Sequence, residues 1–280
     1  MKYLVLILGL CCMFVLKADI QEVSRKDDRE IKLLFDRLIF AHDFGYTIFG
    51  SKPMSLADMC LEVPSNLTLY GRVRAKARLA PSIRRLNAWY RNKHHFVFRD
   101  FIFLDEEKDL INCLVLILIN KKNMLRILHE YESIFKEELG DTFTPEFFLE
   151  KLEKREVSFA EATHKSQKLL GIMLGYGVRN ATLFQDRFDL QKEIHTHKKL
   201  NLPEDEELTA KLNAIELQVG CFSELDADAI VHPLYFLADV SHPESIELKQ
   251  KYEEERKQII ELRKKYDFMD LVLKRLVAAE

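Results

Sequence analysis

Glycine is scarce in this chain, nine in 280 residues, and proline is scarcer still at seven. So few chain breakers exclude collagen-like and low-complexity sequences, and an apolar content of 48% is too high for a disordered one. Cysteine is sparse as well: Cys11 and Cys12 sit in the N-terminal apolar segment, leaving Cys60, Cys113 and Cys221. These three have no metal-ligand spacing and are too few for a disulfide scaffold. Cys60 with Cys221 is a bridge that an oxidising compartment would allow, whereas Cys113, inside INCLVLILI, reads as a buried, inert thiol. A basic excess is missing too, with 42 Lys and Arg against 45 Asp and Glu. Phosphate backbones demand a concentrated basic face, so nucleic acid is not expected as the main partner. The local exception is 72–91, which holds Arg72, Arg74, Lys76, Arg78, Arg84, Arg85 and Arg91 and reads as a solvated helical face.

Catalytic signatures are also lacking. There is no GxSxG, HExxH or P-loop. Ser133 and Lys136 have SxxK spacing, but they lie inside an amphipathic helical pattern with no KTG partner. His195 and His197 are two apart, so on a helix they point to different sides. No catalytic residue, metal site or cofactor is assigned on these grounds.

No apolar run reaches the ~20 residues that span a bilayer. The longest, Tyr3 to Leu16, follows Met1-Lys2 and leads to Leu16-Lys17-Ala18. This is the layout of a signal peptide, with cleavage expected after Ala18 and 19–280 left as one mostly helical domain. An uncleaved anchor and acylation at Cys11 or Cys12 are the alternatives. The first eighteen residues carry Lys2 and Lys17 and no acid, so the mature chain holds 40 basic against 45 acidic residues, a net charge of −5.

What is present is mainly helical periodicity. Amphipathic spacing predicts helices over 31–40, over 69–92 with an interruption at Pro81, and over 124–139 with Gly140 as the C-terminal cap. Thr144-Pro145 and Ser158 with Glu161 are helix starts, the second a capping box leading into 169–184. A further helix over 181–200 is expected to turn Leu183, Phe184, Phe188, Leu190 and Ile194 inward. The acidic PEDEE segment opens a helix or loop reaching Leu217, and the chain closes with a long polar helix from Pro243 and a short one from Phe268. Short strands are expected at 95–104 and 111–119, joined by the charged stretch 105–109, with a third candidate at 233–240. The apolar second run should be a covered central strand. The segment HDFGYTIFGSKPMSL, with Gly45, Gly50 and Pro53, reads as a loop that buries Phe44, Tyr46 and Phe49. The fold class is therefore α+β, predominantly α-helical with a small sheet.

Against the general scarcity, LLGIMLGYGVRNATLF gathers Gly171, Gly175 and Gly177 within seven residues. A dinucleotide fingerprint would need a preceding strand and a third glycine where Asn180 stands. A packing role fits better: Gly171 and Gly175 strip one helix face, Gly177 breaks the helix, and Asn180 caps the next. Tyr176, Arg179 and Asn180 are then the exposed binding candidates at that corner. His42, Asp43 and Tyr46, in the HDFGYTIFG segment, are the others. Asn66 and Asn180 each open an Asn-X-Thr sequon, an acceptor only in a host secretory pathway that glycosylates.

HDFGYTIFGSKP, LVLILINKKNMLRIL, LLGIMLGYGVRNATLF, SHPESIELKQKYEEERKQI and DFMDLVLKRL, taken together, make the chain resemble a group of exported, functionally unassigned paralogous proteins of chlamydia-like intracellular bacteria. The resemblance runs from about Ile31 to Leu276. It implies bacterial origin and export to the periplasm, outer envelope or medium, brings no catalytic residues to carry over, and makes the two sequons incidental. The expected function is a non-enzymatic binding or structural role in the envelope or at the host interface, with a protein or small-molecule partner. A membrane is expected to be touched only through the N-terminal segment, if that is uncleaved or lipidated. The alternative is an envelope hydrolase or transferase with a cleft between the 42–53 segment and the 175–180 corner. It requires the two to lie within ~15 Å and to share a concave pocket.

Overall fold

The computed structural model describes residues 23–63, 68–108, 113–224 and 229–277, so the expected leader at 1–18 and the Asn66 sequon lie outside the described residues. In chain order the first half contains α1 (Arg25–Ala41), α2 (Phe44–Phe49), β1 (Met54–Cys60), α3 (Leu69–Asn92), β2 (Phe101–Lys108) and β3 (Cys113–Asn120). There follow α4 (Lys121–Glu130), α5 (Glu132–Leu139), α6 (Pro145–Glu153), α7 (Phe159–Ala162), α8 (Gln167–Met173) and α9 (Val178–Lys199). The last third adds α10 (Glu206–Gln218), β4 (Gly220–Cys221), β5 (Leu237–Ala238), α11 (Pro243–Lys265) and α12 (Phe268–Leu276). The protein is a predominantly helical α+β molecule with a small antiparallel sheet.

The layout follows from β3. Its sequence, CLVLILIN, is apolar up to the last residue, so neither face can be left in water. It takes the centre of a three-stranded sheet ordered β1-β3-β2 and pairs antiparallel on both sides. Strand side chains alternate between faces. Leu114, Leu116 and Leu118 enter one core with Ala57, Met59, Phe101 and Phe103, while Val115, Ile117 and Ile119 enter the other with Met54, Ile102 and Leu104. The first core is closed by α1, α2, α3, α11 and α12, and it centres on Trp89, whose ring meets Phe35 and Phe103 edge-on at 5.6 and 5.2 Å. The second is closed by α4 to α8 and the start of α9, around Phe135, Phe143 and Phe148.

Several boundaries differ from expectation. The first strand begins at Phe101, not near 95, and continues through the charged residues to Lys108. Charge does not end it because β2 is an edge strand whose acids are answered from outside: Arg155 Nη2 donates to Asp105 over 2.6 Å, and Glu106 accepts the Phe159 N–H. The second strand is described over Cys113–Asn120, one residue beyond its expected end, and its expected first residues, 111 and 112, lie outside the described residues. At 233–240 only Leu237 and Ala238 pair, with Cys221 and Gly220. β1 is a strand that the loop reading of 42–56 did not anticipate, and Phe44–Phe49 is a helix. The glycines do not break that helix, because Gly45 lies in its first turn against Ile39, Gly50 stands just past its end, and Pro53 comes after both. α3 runs through Pro81 as a single helix. The capping box at Ser158 and Glu161 forms, but it opens only the short α7 and not a helix running into 169–184.

Phe184 and Phe188, expected inward, are exposed. Beyond Leu183 the helix leaves the core and packs on α10, which itself buries no residue. The Cys60–Cys221 bridge is not formed: Cys221 is an exposed free thiol with its sulfur 3.2 Å from Tyr235 Oη, and strand register sets Cys60 opposite Cys113.

Candidate functional site

The 42–53 segment and the glycine corner meet. α2 begins where Asp43 adopts φ 62°, and its carbonyl accepts the Tyr46 N–H and the Ser55 hydroxyl. This sharp entry turns Tyr46 inward against Tyr252 of α11, ring edge to ring face at 5.9 Å, with the Tyr46 hydroxyl on the His232 carbonyl at 3.0 Å. After α2 the chain places Lys52 under Tyr176, with Nζ 5.4 Å from the ring centroid and bonded to the Met54 carbonyl at 2.6 Å. Next to it, a Cβ on Gly175 would lie 3.0 Å from Pro53 Cδ. Tyr176 stacks on Phe236 at 4.0 Å and Phe236 on Phe222 at 4.2 Å, so three rings continue inward from the corner.

Burial governs the electrostatics here. Lys52 is fully buried, which lowers its pKa to about 8 against the opposing influence of Asp43. The Asp43 carboxyl is raised by the same desolvation, opposed by Lys52 and His232. Tyr46, Tyr176 and Tyr252 are all pushed upward by burial, so these phenols stay protonated at any ordinary pH.

Two concavities flank Tyr252. A groove of about 460 Å³ is walled by Phe222, Pro233, Leu234, Val240 and Ile246, floored by Tyr46 and Tyr252, and edged by Lys249, Gln250 and Glu253. On the other side a cleft of about 240 Å³ joins Ser51 and Pro53 to Gly175 and Gly177, with Arg126, Glu130, Glu244 and Lys251 around it.

The six sequence-predicted residues divide accordingly. Tyr46 lines the groove. Asn180 is buried, not exposed, and acts as a junction: its Nδ2 donates to the Tyr176 carbonyl at 2.8 Å, and its Oδ1 accepts the Asp239 N–H at 2.9 Å and the Ser245 hydroxyl at 3.1 Å. It does not cap α9. Gly177, with φ 85°, holds that position, and its missing side-chain acceptor is replaced by Glu244, whose two oxygens take the N–H groups of Val178 and Arg179 at 2.9 Å each. Tyr176 is partly buried against the core, and Gly175 lies in a turn beyond the end of α8, not on its face. Arg179 remains partly exposed and pairs with Asp239 at 3.5 Å. Burial and Arg37 lower the pKa of His42 and Asp58 opposes them, whereas burial raises that of Asp43 against Lys52 and His232. Neither His42 nor Asp43 lines the groove or the cleft.

The residues that sequence reasoning passed over are Tyr252 and the 222–246 wall. A signal for the first was present. Tyr252 and Ile259, seven apart in a mainly polar helix, are both buried, which is the mark of a single inward stripe. Apart from Ile246, in the first turn of α11, the wall comes from segments with no periodicity to read. Among the described residues no three His, Cys, Asp or Glu side chains come together as a metal site. No family model matches the chain, and neither curated proteins nor solved structures yield a match.

Proposed function

We propose that this chain is an exported, non-enzymatic binding protein of the bacterial envelope or host interface, and that it takes a small, largely apolar ligand in the groove over Tyr46 and Tyr252. The observation that carries the reading is the groove's composition. Its apolar wall includes Val240 and Ile246, 48% and 45% exposed, above a floor of two protonated tyrosines. Its volume of about 460 Å³ is within the ordinary range for small-molecule sites, which join apolar walls to a few polar groups that fix orientation. Lys249, Gln250 and Glu253 are placed on the rim to do that. The groups that an acid/base mechanism would have drawn from the 42–53 segment, His42 and Asp43, line neither the groove nor the cleft.

The test is titration with an environment-sensitive apolar dye, followed by displacement with a panel of lipids and hydrophobic metabolites. Ile246→Glu should weaken dye binding at least tenfold with little change in melting temperature, because the side chain is half in water already. Equal binding by wild type and variant removes the groove from consideration.

The hydrolase or transferase reading is favoured by one observation, the contact of Pro53 with Gly175 beside a cleft that holds Ser51, Arg126 and Lys251. Turnover of ester, amide or glycoside substrates that is lost in Ser51→Ala and kept in Ile246→Glu would replace the binding reading with it.

A further inference from the structure

The cations of α3 are not equivalent. From Val63 to Arg99 the chain has no Asp or Glu, yet it carries nine Lys and Arg in a protein of net charge −3. Towards the C-terminal end of the helix the body pairs two of the three: Arg84 meets Glu30 at 2.8 Å and Arg91 meets Asp27 at 2.7 Å, while the buried Nε of Arg85 has no hydrogen-bond partner among the described residues. Towards the N-terminal end, Arg72, Arg74, Lys76 and Arg78 have no carboxylate partner among the described residues. The reason is geometric. Asp27 pairs with Arg91 and Arg37 with Ser82, so α1 and α3 run antiparallel and the first turns of α3 project past the end of α1.

The projecting turns also turn apolar side chains away from the body. At about 100° per residue, Leu69, Val73, Ala77 and Ala80 fall on one stripe with Tyr70 at its margin, opposite the side bearing Ala75, Leu79 and Ser82. Leu69, Tyr70 and Val73 are 74%, 77% and 62% exposed. Arg74 and Arg78 lie along one edge of the stripe, Arg72 and Lys76 along the other. We infer that the first three turns of α3 form an interfacial docking helix for an anionic phospholipid bilayer. The helix lies in the headgroup plane with Leu69 and Val73 inserted, Tyr70 at the interface, and the four unpaired cations on the lipid phosphates.

Both halves of the pattern select this occupant. A nucleic acid would use the cations and leave the apolar stripe in water. A second copy of the chain could cover the stripe, but it would bring four unpaired cations against four. A bilayer with anionic lipid satisfies both, and the contact is independent of any held by residues 3–16.

The experiment is flotation of the full-length chain with phosphatidylcholine vesicles, with and without about one-third phosphatidylglycerol, at low and high salt. The apolar run at 3–16 can bind either vesicle, so the readout is the ratio between the two. Anionic vesicles should be preferred, with the preference shrinking in high salt. Arg74→Gln with Arg78→Gln should cut that preference roughly twenty-fivefold, at about fivefold per cation. Val73→Asp should abolish it. Lys192→Gln with Lys199→Gln, an equal charge change on α9, should leave it intact. If Val73→Asp lowers the melting temperature, Leu69→Asp at the free end of the helix carries the same test. Equal binding to both vesicle types, an effect of the α9 pair equal to that of the α3 pair, concentration-dependent dimerisation lost in Val73→Asp, or duplex nucleic acid capture that survives Val73→Asp would each overturn the inference.

Discussion

The Tyr252 hydroxyl donates to the Gly175 carbonyl over 2.8 Å, tying the polar helix α11 to the glycine corner that Pro53 also touches. Gly175 has φ 76°, and a side chain there would run into Tyr252 Oη and Pro53 Cδ together. Gly175→Leu is therefore expected to destabilise by several kcal/mol, the left-handed backbone costing about 1–2 kcal/mol and overpacking the rest. Gly140→Ala is the control, since φ is 97° but nothing lies within 4 Å of its Cβ position, and only the backbone cost should appear. Calorimetry of both variants checks this. A Gly175→Leu midpoint no lower than that of Gly140→Ala removes the close approach.

Asn180 satisfies buried groups from three parts of the chain, the Tyr176 carbonyl, the Asp239 amide and the Ser245 hydroxyl. Asn180→Ala leaves them unpaired and should cost upwards of about 2 kcal/mol in urea unfolding, while Asn180→Asp restores the acceptor but faces the Tyr176 carbonyl with a second acceptor and should also destabilise. A loss below about 0.5 kcal/mol for the alanine variant would contradict the junction. The same burial makes the Asn180 sequon a poor acceptor, so the chain expressed in a glycosylating host should carry no glycan there by mass spectrometry.

Glu244 is the cap that α9 lacks at Gly177. Removing it in Glu244→Ala exposes two helix N–H groups and an uncompensated positive helix end, with an expected loss of about 1–2 kcal/mol. Amide hydrogen exchange at Val178 and Arg179 should quicken in that variant. Unchanged protection at those two amides would show that water caps the helix equally well.

Lys52 sets a pH dependence. The unfolded chain holds its proton up to about 10.5, the buried lysine gives it up near 8, and between those values the unfolded state binds more protons. The stability this group contributes is thus full above the unfolded value and lost as pH falls through the folded one. From pH 8 to about 9.5 the unfolding free energy should rise by up to about 2 kcal/mol. At higher pH the trend reverses, because Tyr46, Tyr176 and Tyr252 keep protons that the unfolded chain releases. Urea titrations across the window should lose the upward slope in Lys52→Met. A slope identical to wild type assigns it elsewhere.

Local and periodic features were legible without coordinates. The strand at 113–120, the Ser158 box, Pro145 in a first helical turn, and Gly140 as a C-terminal cap of positive φ each depend on residues within one or two turns of one another. The contact of the 42–53 segment with the glycine corner entered only as a requirement of the alternative reading, and the direction of its side chains was not anticipated. Asn180 looked exposed because a short polar residue beside glycines usually is. It is buried because Ser245 and the Asp239 amide, some sixty residues away, offer it partners.

By itself, then, the amino-acid sequence determined the fold class, the covered central strand and the crowded glycine corner, since hydrophobic period and backbone permissiveness act over short spans. Only the tertiary structure decided that the corner is a packed joint, that the open groove lies across Tyr252 from it, and that half of one basic helix stands unneutralised. Those three properties depend on which distant groups arrive opposite a side chain, and no spacing within the chain carries that information.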